Sequence, residues 1–233
     1  MLRRLARELE NLDAAVIDLS ARAEDAARTA LRAFLENNGQ LAAEVIAADS
    51  EIDLREMEIE EECLKLIALH QPVAADLRHI IGVVKINQSL ERAADLAVNL
   101  CRKTRTLAKN PSIASPHEIT DMGERAVHML HDAINAFVRS DAALARDVIL
   151  RDNEVDRLKK SLRKACEQAI MADPSETRVR LAQIAAGRNL ERLGDMAAEI
   201  AENVIQSLEG EMIRHPKLRA EKDTEAISET PEE

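Results

Sequence analysis

Apolar residues recur at helical spacing, with acids and bases between them, from Leu5 to Glu36, from Leu41 to Leu69 and from Val73 to Leu107. The pattern predicts three long helices, because no four-residue stretch alternates as a half-buried strand would. It pauses at "NNGQ" (37–40), "HQP" (70–72) and "KNPSIASPH" (109–117), where Asn, Ser and Pro disfavour continuation. The same rhythm then restarts. Helices are expected over 117–139, 141–171 and 175–208, with "DP" at 173–174 standing where "QP" stands at 71–72.

The second half can be laid on the first. At an offset of 103, Phe34 meets Phe137, Leu41 meets Leu144, Val45 meets Val148, Asp49 meets Asp152, Asp53 meets Asp156 and Cys63 meets Cys166. Past the second turn the offset becomes 100, placing Leu90, Glu91, Arg92 and Asp95 on Leu190, Glu191, Arg192 and Asp195. A repeat of this length, built from three helices, exceeds the roughly 33 to 47 residues of helical-pair solenoid units. The prediction is therefore an all-α chain of two tandem, internally repeated three-helix bundles. The bundles span 1–108 and 117–210, joined by a linker at 109–116. A polar tail at 211–233, rich in charged residues, is expected to be disordered.

Composition agrees with this picture. Hydrophobic residues make up 46% and charged residues 32%, with no Trp or Tyr, so helix formers dominate. Cys63, Cys101 and Cys166 form no paired motif and read as small core residues of a reducing compartment. The net charge of -11 argues against a nucleic-acid partner, which requires a basic face. The amino end carries charges throughout instead of an apolar signal region, and nothing approaches the roughly 20 apolar residues of a membrane span. A cytoplasmic protein is expected, touching membranes only through protein partners.

The candidate chemistry lies in acids four residues apart. Asp49 with Asp53, Glu91 with Asp95, Asp152 with Asp156 and Glu191 with Asp195 occupy matching places in the two halves. Each pair stacks on one helical face, its members about 40° apart around the axis. Small neighbours, Ala93, Ala94 and Ala97 in one half, Gly194 and Ala197 in the other, let an adjacent helix approach. One such pair is ordinary solvated surface, with a repulsion of only about 0.7 kcal/mol in water. Two facing pairs would repel by about 4 kcal/mol even with bulk screening, and would call for a cation. Oxygen-only ligands suit Mg, Ca, Mn or iron, not structural zinc.

A ferritin-like di-iron oxidase would require Glu-x-x-His, which is absent, and no catalytic motif is evident, so no enzyme is expected. His128 and His131 share a face, yet their repeat counterparts are Asp25 and Arg28, so they read as structural or surface histidines. No basic pocket for phosphate is foreseen.

"LERAADLAVNLCRK", "LERLGDMAAEIAE", "HQPVAADLR" and "MGERAVHMLHDAINAF" together resemble the PhoU family of phosphate-uptake regulators, from about residue 8 to 215. The resemblance implies paired bundles, commonly dimeric, with multinuclear metal on the acid motifs of some members. Carried over by motif, the candidate ligands are Asp49, Asp53, Glu91 and Asp95, then Asp152, Asp156, Glu191 and Asp195. Gln71, Pro72, Asp76 and Arg78 of the "QP-x-x-x-DLR" turn are candidate partner contacts; the second half reads "DPSETRVR" there. The implied role is an adaptor that links the ATPase subunit of a phosphate ABC transporter to a phosphate-sensing histidine kinase and represses the phosphate regulon when phosphate is plentiful. The alternatives are a metal-storage or metal-sensing bundle, or an accessory of a low-affinity phosphate symporter.

Overall fold

The computed structural model describes residues 2–108 and 113–210. The anticipated tail at 211–233 and the centre of the linker lie outside the described residues. Six long helices run in order: α1 (Leu2–Leu35), α2 (Gly39–His70), α3 (Ala74–Leu107), α4 (His117–Arg139), α5 (Ala142–Ala172) and α6 (Thr177–Glu209). α1 and α3, each of 34 residues, extend about 50 Å.

The helix ends follow local chemistry. Asn38 caps α2 by accepting from the Leu41 N–H at 3.0 Å, so Gly39 and Gln40 join the first turn instead of the break. Asp141 caps α5 through the Ala143 and Leu144 N–H groups. Asp173 accepts from Ser175, and Pro174–Glu176 forms a separate 3-10 turn before α6, which therefore starts two residues later than the apolar pattern predicts.

Helices α1, α2 and α3 pack on one another, as do α4, α5 and α6. The two bundles then join through α3 against α6 and α1 against α4, while α2 and α5 meet only helices of their own bundle. One apolar core runs through both, from Leu12, Phe34, Ile59 and Leu90 to Met122, Leu162 and Leu193. A Cβ on Gly123 would overlap the Leu31 side chain, so the glycine is what lets α4 close on α1. All three cysteines are buried and unpaired. Desolvation pushes the Cys63 and Cys101 thiols up to about 12 and Cys166 to about 11, which keeps them protonated packing groups.

The α2–α3 turn is bent tightly, with Gln71 (φ 46°) and Ala74 (φ 49°) both left-handed. Such a conformation strains an L-residue by roughly 1 to 2 kcal/mol, partly offset in a glycine by its greater unfolded-state freedom. Ala74→Gly is accordingly expected to raise stability by about 0.5 to 1 kcal/mol in urea unfolding; a loss would mean that the Ala74 methyl makes a compensating contact.

Candidate functional site: two facing carboxylate clusters

Helical spacing sets the acids on one stripe of α2 and one of α3, and the α2–α3 packing turns those stripes toward each other. Asp49 on α2 lies within electrostatic reach of Asp95 on α3, and Glu91 on α3 within reach of Asp53 and Glu56 on α2. Burial, then the neighbouring carboxylates, raises the Asp49 and Glu91 carboxyls above their usual range, with Arg102 and Arg92 opposing. The first cluster is larger than its sequence motif. Glu56 joins it, its own carboxyl raised by burial, Glu60 and Asp53. Positions 49, 53, 56 and 60 advance by four, three and four, so helical spacing alone could have revealed the two extra acids.

Asn87 on α3 closes the inner side of this cluster. It is fully buried, and its Nδ2 donates to the Glu56 backbone O at 2.9 Å and to Glu56 Oε1 at 3.0 Å. Its Oδ1 is also buried but has no hydrogen-bond partner. A buried, unsatisfied acceptor beside a carboxylate cluster is a costly arrangement that calls for a donor or a cation.

The second cluster repeats the acids between α5 and α6. Asp195 lies within reach of Glu191, Asp152 and Asp156; burial first, then these three, raises its carboxyl to about 6. A Cβ on Gly194 would sit 3.4 Å from Asp152 Oδ1, so a small residue there leaves α5 room at its acid face. Here a partly exposed cation stands at the cluster: Lys159 Nζ reaches Glu191 Oε1 at 2.5 Å. The Glu191 hydrogen bond, with Asp156 and Asp195 nearby, raises the Lys159 ammonium above its usual value.

α3 and α6 bring one acid of each cluster, Asp95 and Asp195, to a groove of about 450 Å³ that Arg92, Asn99 and Arg192 also line. Arg92 also stands 3.8 Å from Glu199. Among the described residues no three His, Cys, Asp or Glu side chains converge as a formed coordination shell. Each cluster is thus a field of charge. Oxygen donors with a spare buried amide oxygen fit a hard divalent cation at the first cluster, where Asp49, Asp53, Glu56, Glu91 and Asp95 could hold it. The second donor set already contains an ammonium.

The remaining candidates fall as follows. Gln71 and Arg78 are exposed, Asp76 is half-buried and Pro72 is buried, so Pro72 shapes the turn and does not face outward. That turn is tied to α1 by His70 to Glu8 at 2.5 Å and His79 to Asp13 at 2.7 Å. His128 and His131 are surface residues; Arg151 bonds His128 at 3.0 Å, and Glu24 lies 3.0 Å from His131. Lys103, Lys159, Arg188, Asn189 and Arg192, with Glu191, line a cleft of about 420 Å³. These cations lie on α3, α5 and α6 and meet only on folding, which is why the linear sequence hides the cleft.

Fold and site together define a duplicated three-helix-bundle protein with an acid cluster in each half. The family model described as the PhoU domain matches residues 16–104 and again 119–204, and the chain belongs to the PhoU family. It is 35% identical over 216 residues to the phosphate-specific transport system accessory protein PhoU homolog of Aquifex aeolicus, covering 93% of this chain and 98% of that protein. Among solved structures it resembles PhoU from Pseudomonas aeruginosa, with a TM-score of 0.85 and 34% identity over 88% of this chain and 99% of that one. It also resembles the phosphate transport system regulatory protein PhoU from Streptococcus pneumoniae, with a TM-score of 0.83 and 25% identity over 89% and 98%.

Proposed function

We propose that this chain regulates phosphate uptake as an adaptor, joining the ATPase subunit of a phosphate ABC transporter to a phosphate-sensing histidine kinase and holding the regulon repressed when phosphate is plentiful. The observation that carries the proposal is the PhoU-domain match in both halves, supported by a sequence relative and a solved structure whose names refer to phosphate transport. Long rigid helices suit such a role. α2 and α5, which make no contact with the opposite bundle, leave Leu54, Met57, Leu64, Leu150 and Met171 exposed. Apolar residues rimmed by charge are the raw material of protein interfaces. The exposed Gln71 and Arg78 offer a further contact at one end, present in only one half.

In this proposal the protein acts in the cytoplasm as a homodimer and performs no chemistry of its own. No helix among the described residues is long and apolar enough to cross a membrane, so its contact with the transporter would run through protein partners. A divalent cation would neutralise the acid clusters and fix the packing of α2 on α3.

The test is a pull-down of the purified chain against the ATPase subunit and the kinase, with and without chelator. Capture of both, with at most a few-fold loss on chelation, is the expected result. Capture of neither, alongside stoichiometric bound metal, would overturn the adaptor proposal and favour a metal-handling bundle.

A further inference from the structure

Arg22, Arg28, Arg125, Arg146 and Arg163 each reach a carboxylate, as expected of a chain with 43 acids to 32 bases. Lys103, Arg188 and Arg192 do not: among the described residues none of the three is held in an ion pair or a side-chain hydrogen bond. Yet all three line one cleft of about 420 Å³, together with Lys159, Asn189 and Glu191. Glu191 is bonded to Lys159 at 2.5 Å, so the residues lining the cleft leave Lys103, Arg188 and Arg192 unbalanced. In a chain of net charge -11 such a concentration of one sign is against the average, and a concave wall focuses its field.

The duplication shows that helix packing does not demand this. The offsets that align the halves place Glu56, Gln88, Glu91 and Arg92 where Lys159, Arg188, Glu191 and Arg192 stand, and Asn203 on Lys103. The corresponding positions thus carry two acids and one base, against four bases and one acid in the cleft. The same backbone is built without the cations in one half and with them in the other, so their convergence belongs to this cleft alone.

We propose that the cleft binds a compact anion made of two or more linked phosphoryl groups, of which inorganic pyrophosphate is the simplest. Guanidinium groups present planar forks that match phosphoryl oxygens, and an ammonium adds a point charge with several donors. Arg188 and Arg192 stand one turn apart on α6, about 6 Å along the axis, so both can serve one ligand. A single phosphoryl group carries about two negative charges at most, fewer than the three unbalanced cations. Two linked groups meet the demand. The chain has no Trp or Tyr, and neither Phe34 nor Phe137 lines the cleft, so nothing there would stack on a nucleobase. Lys103 comes from α3 of the first bundle and the other cations from α5 and α6 of the second, so a bound anion would bridge the two bundles where α3 packs on α6. The site does not rest on the adaptor role proposed above.

Isothermal titration of the purified full chain with pyrophosphate, in metal-free buffer at physiological salt, tests this against orthophosphate, ATP and a poly-glutamate peptide. One pyrophosphate per chain is expected, at least tenfold tighter than orthophosphate and as tight as ATP, together with a higher unfolding temperature. Arg188→Gln, Arg192→Gln and Lys103→Gln should each weaken binding at least tenfold, the last from the opposite bundle. Lys160→Gln, at an exposed position of α5 beside Lys159, should leave it unchanged. Thermal unfolding without ligand confirms that each variant folds. No pyrophosphate binding, or equal weakening by Lys160→Gln, would overturn the proposal. So would ATP binding at least tenfold tighter than pyrophosphate, which requires a base pocket, or tighter binding of poly-glutamate, which would give the cleft to an acidic protein segment.

Discussion

Phe34→Ala is expected to destabilise the protein by about 3 to 5 kcal/mol, while the same truncation at its repeat counterpart Phe137 costs clearly less. Both aromatics occupy equivalent places, but Phe34 is 1% exposed inside the shared core whereas Phe137 is only partly buried against it. Loss of the ring leaves a cavity whose cost grows with how little the surroundings can relax. Phe34 is among the largest fully buried side chains, enclosed in the core on every side, so little can relax into the space its ring leaves. Urea unfolding of the two variants with fitted slopes checks this. Equal losses would mean that the bundles are packed alike and that the shared core places no special demand on the first.

Asp195→Asn is expected to stabilise the chelated protein at pH 7 by on the order of 1 to 2 kcal/mol, and by almost nothing near pH 4. The sign follows from the direction of the shift. Asp195 is raised to about 6 in the folded state against an ordinary 3.8, by burial and by Glu191, Asp152 and Asp156, with Lys159 opposing. Between those two values the folded chain holds a proton that the unfolded chain has released, so stability falls as pH rises from about 4 to about 6. Above that window the full penalty of an ionised, crowded carboxylate remains. The amide removes it, and partial solvent exposure keeps the gain well below the unscreened figure of about 3 kcal/mol. Unfolding at pH 4, 5, 6 and 7 is the measurement. A gain independent of pH would assign the effect to packing and not to charge.

The helices were legible because their information is local. The spacing of Leu, Val and Ile located all six to within a few residues, and the larger deviations have local causes: the Asn38 side chain recruits Gly39 into α2, and Pro174 inserts a 3-10 turn before α6. The duplication was legible for the same reason. Phe34 on Phe137 and Glu91 on Glu191 are correspondences of position along the chain. The Glu56 and Glu60 extension of the first cluster lies within reach of helical spacing, and only the four-residue motif concealed it.

By itself, then, the sequence determined an all-helical chain of two related bundles and the eight acids that stack in pairs on its helices, because side-chain period and backbone propensity act over a few residues. Tertiary structure alone decided that the pairs face each other across α2–α3 and α5–α6, that α3 against α6 draws Asp95 and Asp195 to one groove, and that the two cores become one. It also decided that Lys159 pairs with Glu191 and that Asn87 is buried with a spare oxygen. These depend on helix rotation and on distances between residues far apart in the chain, and Coulomb interactions and burial penalties take their values only when those distances exist.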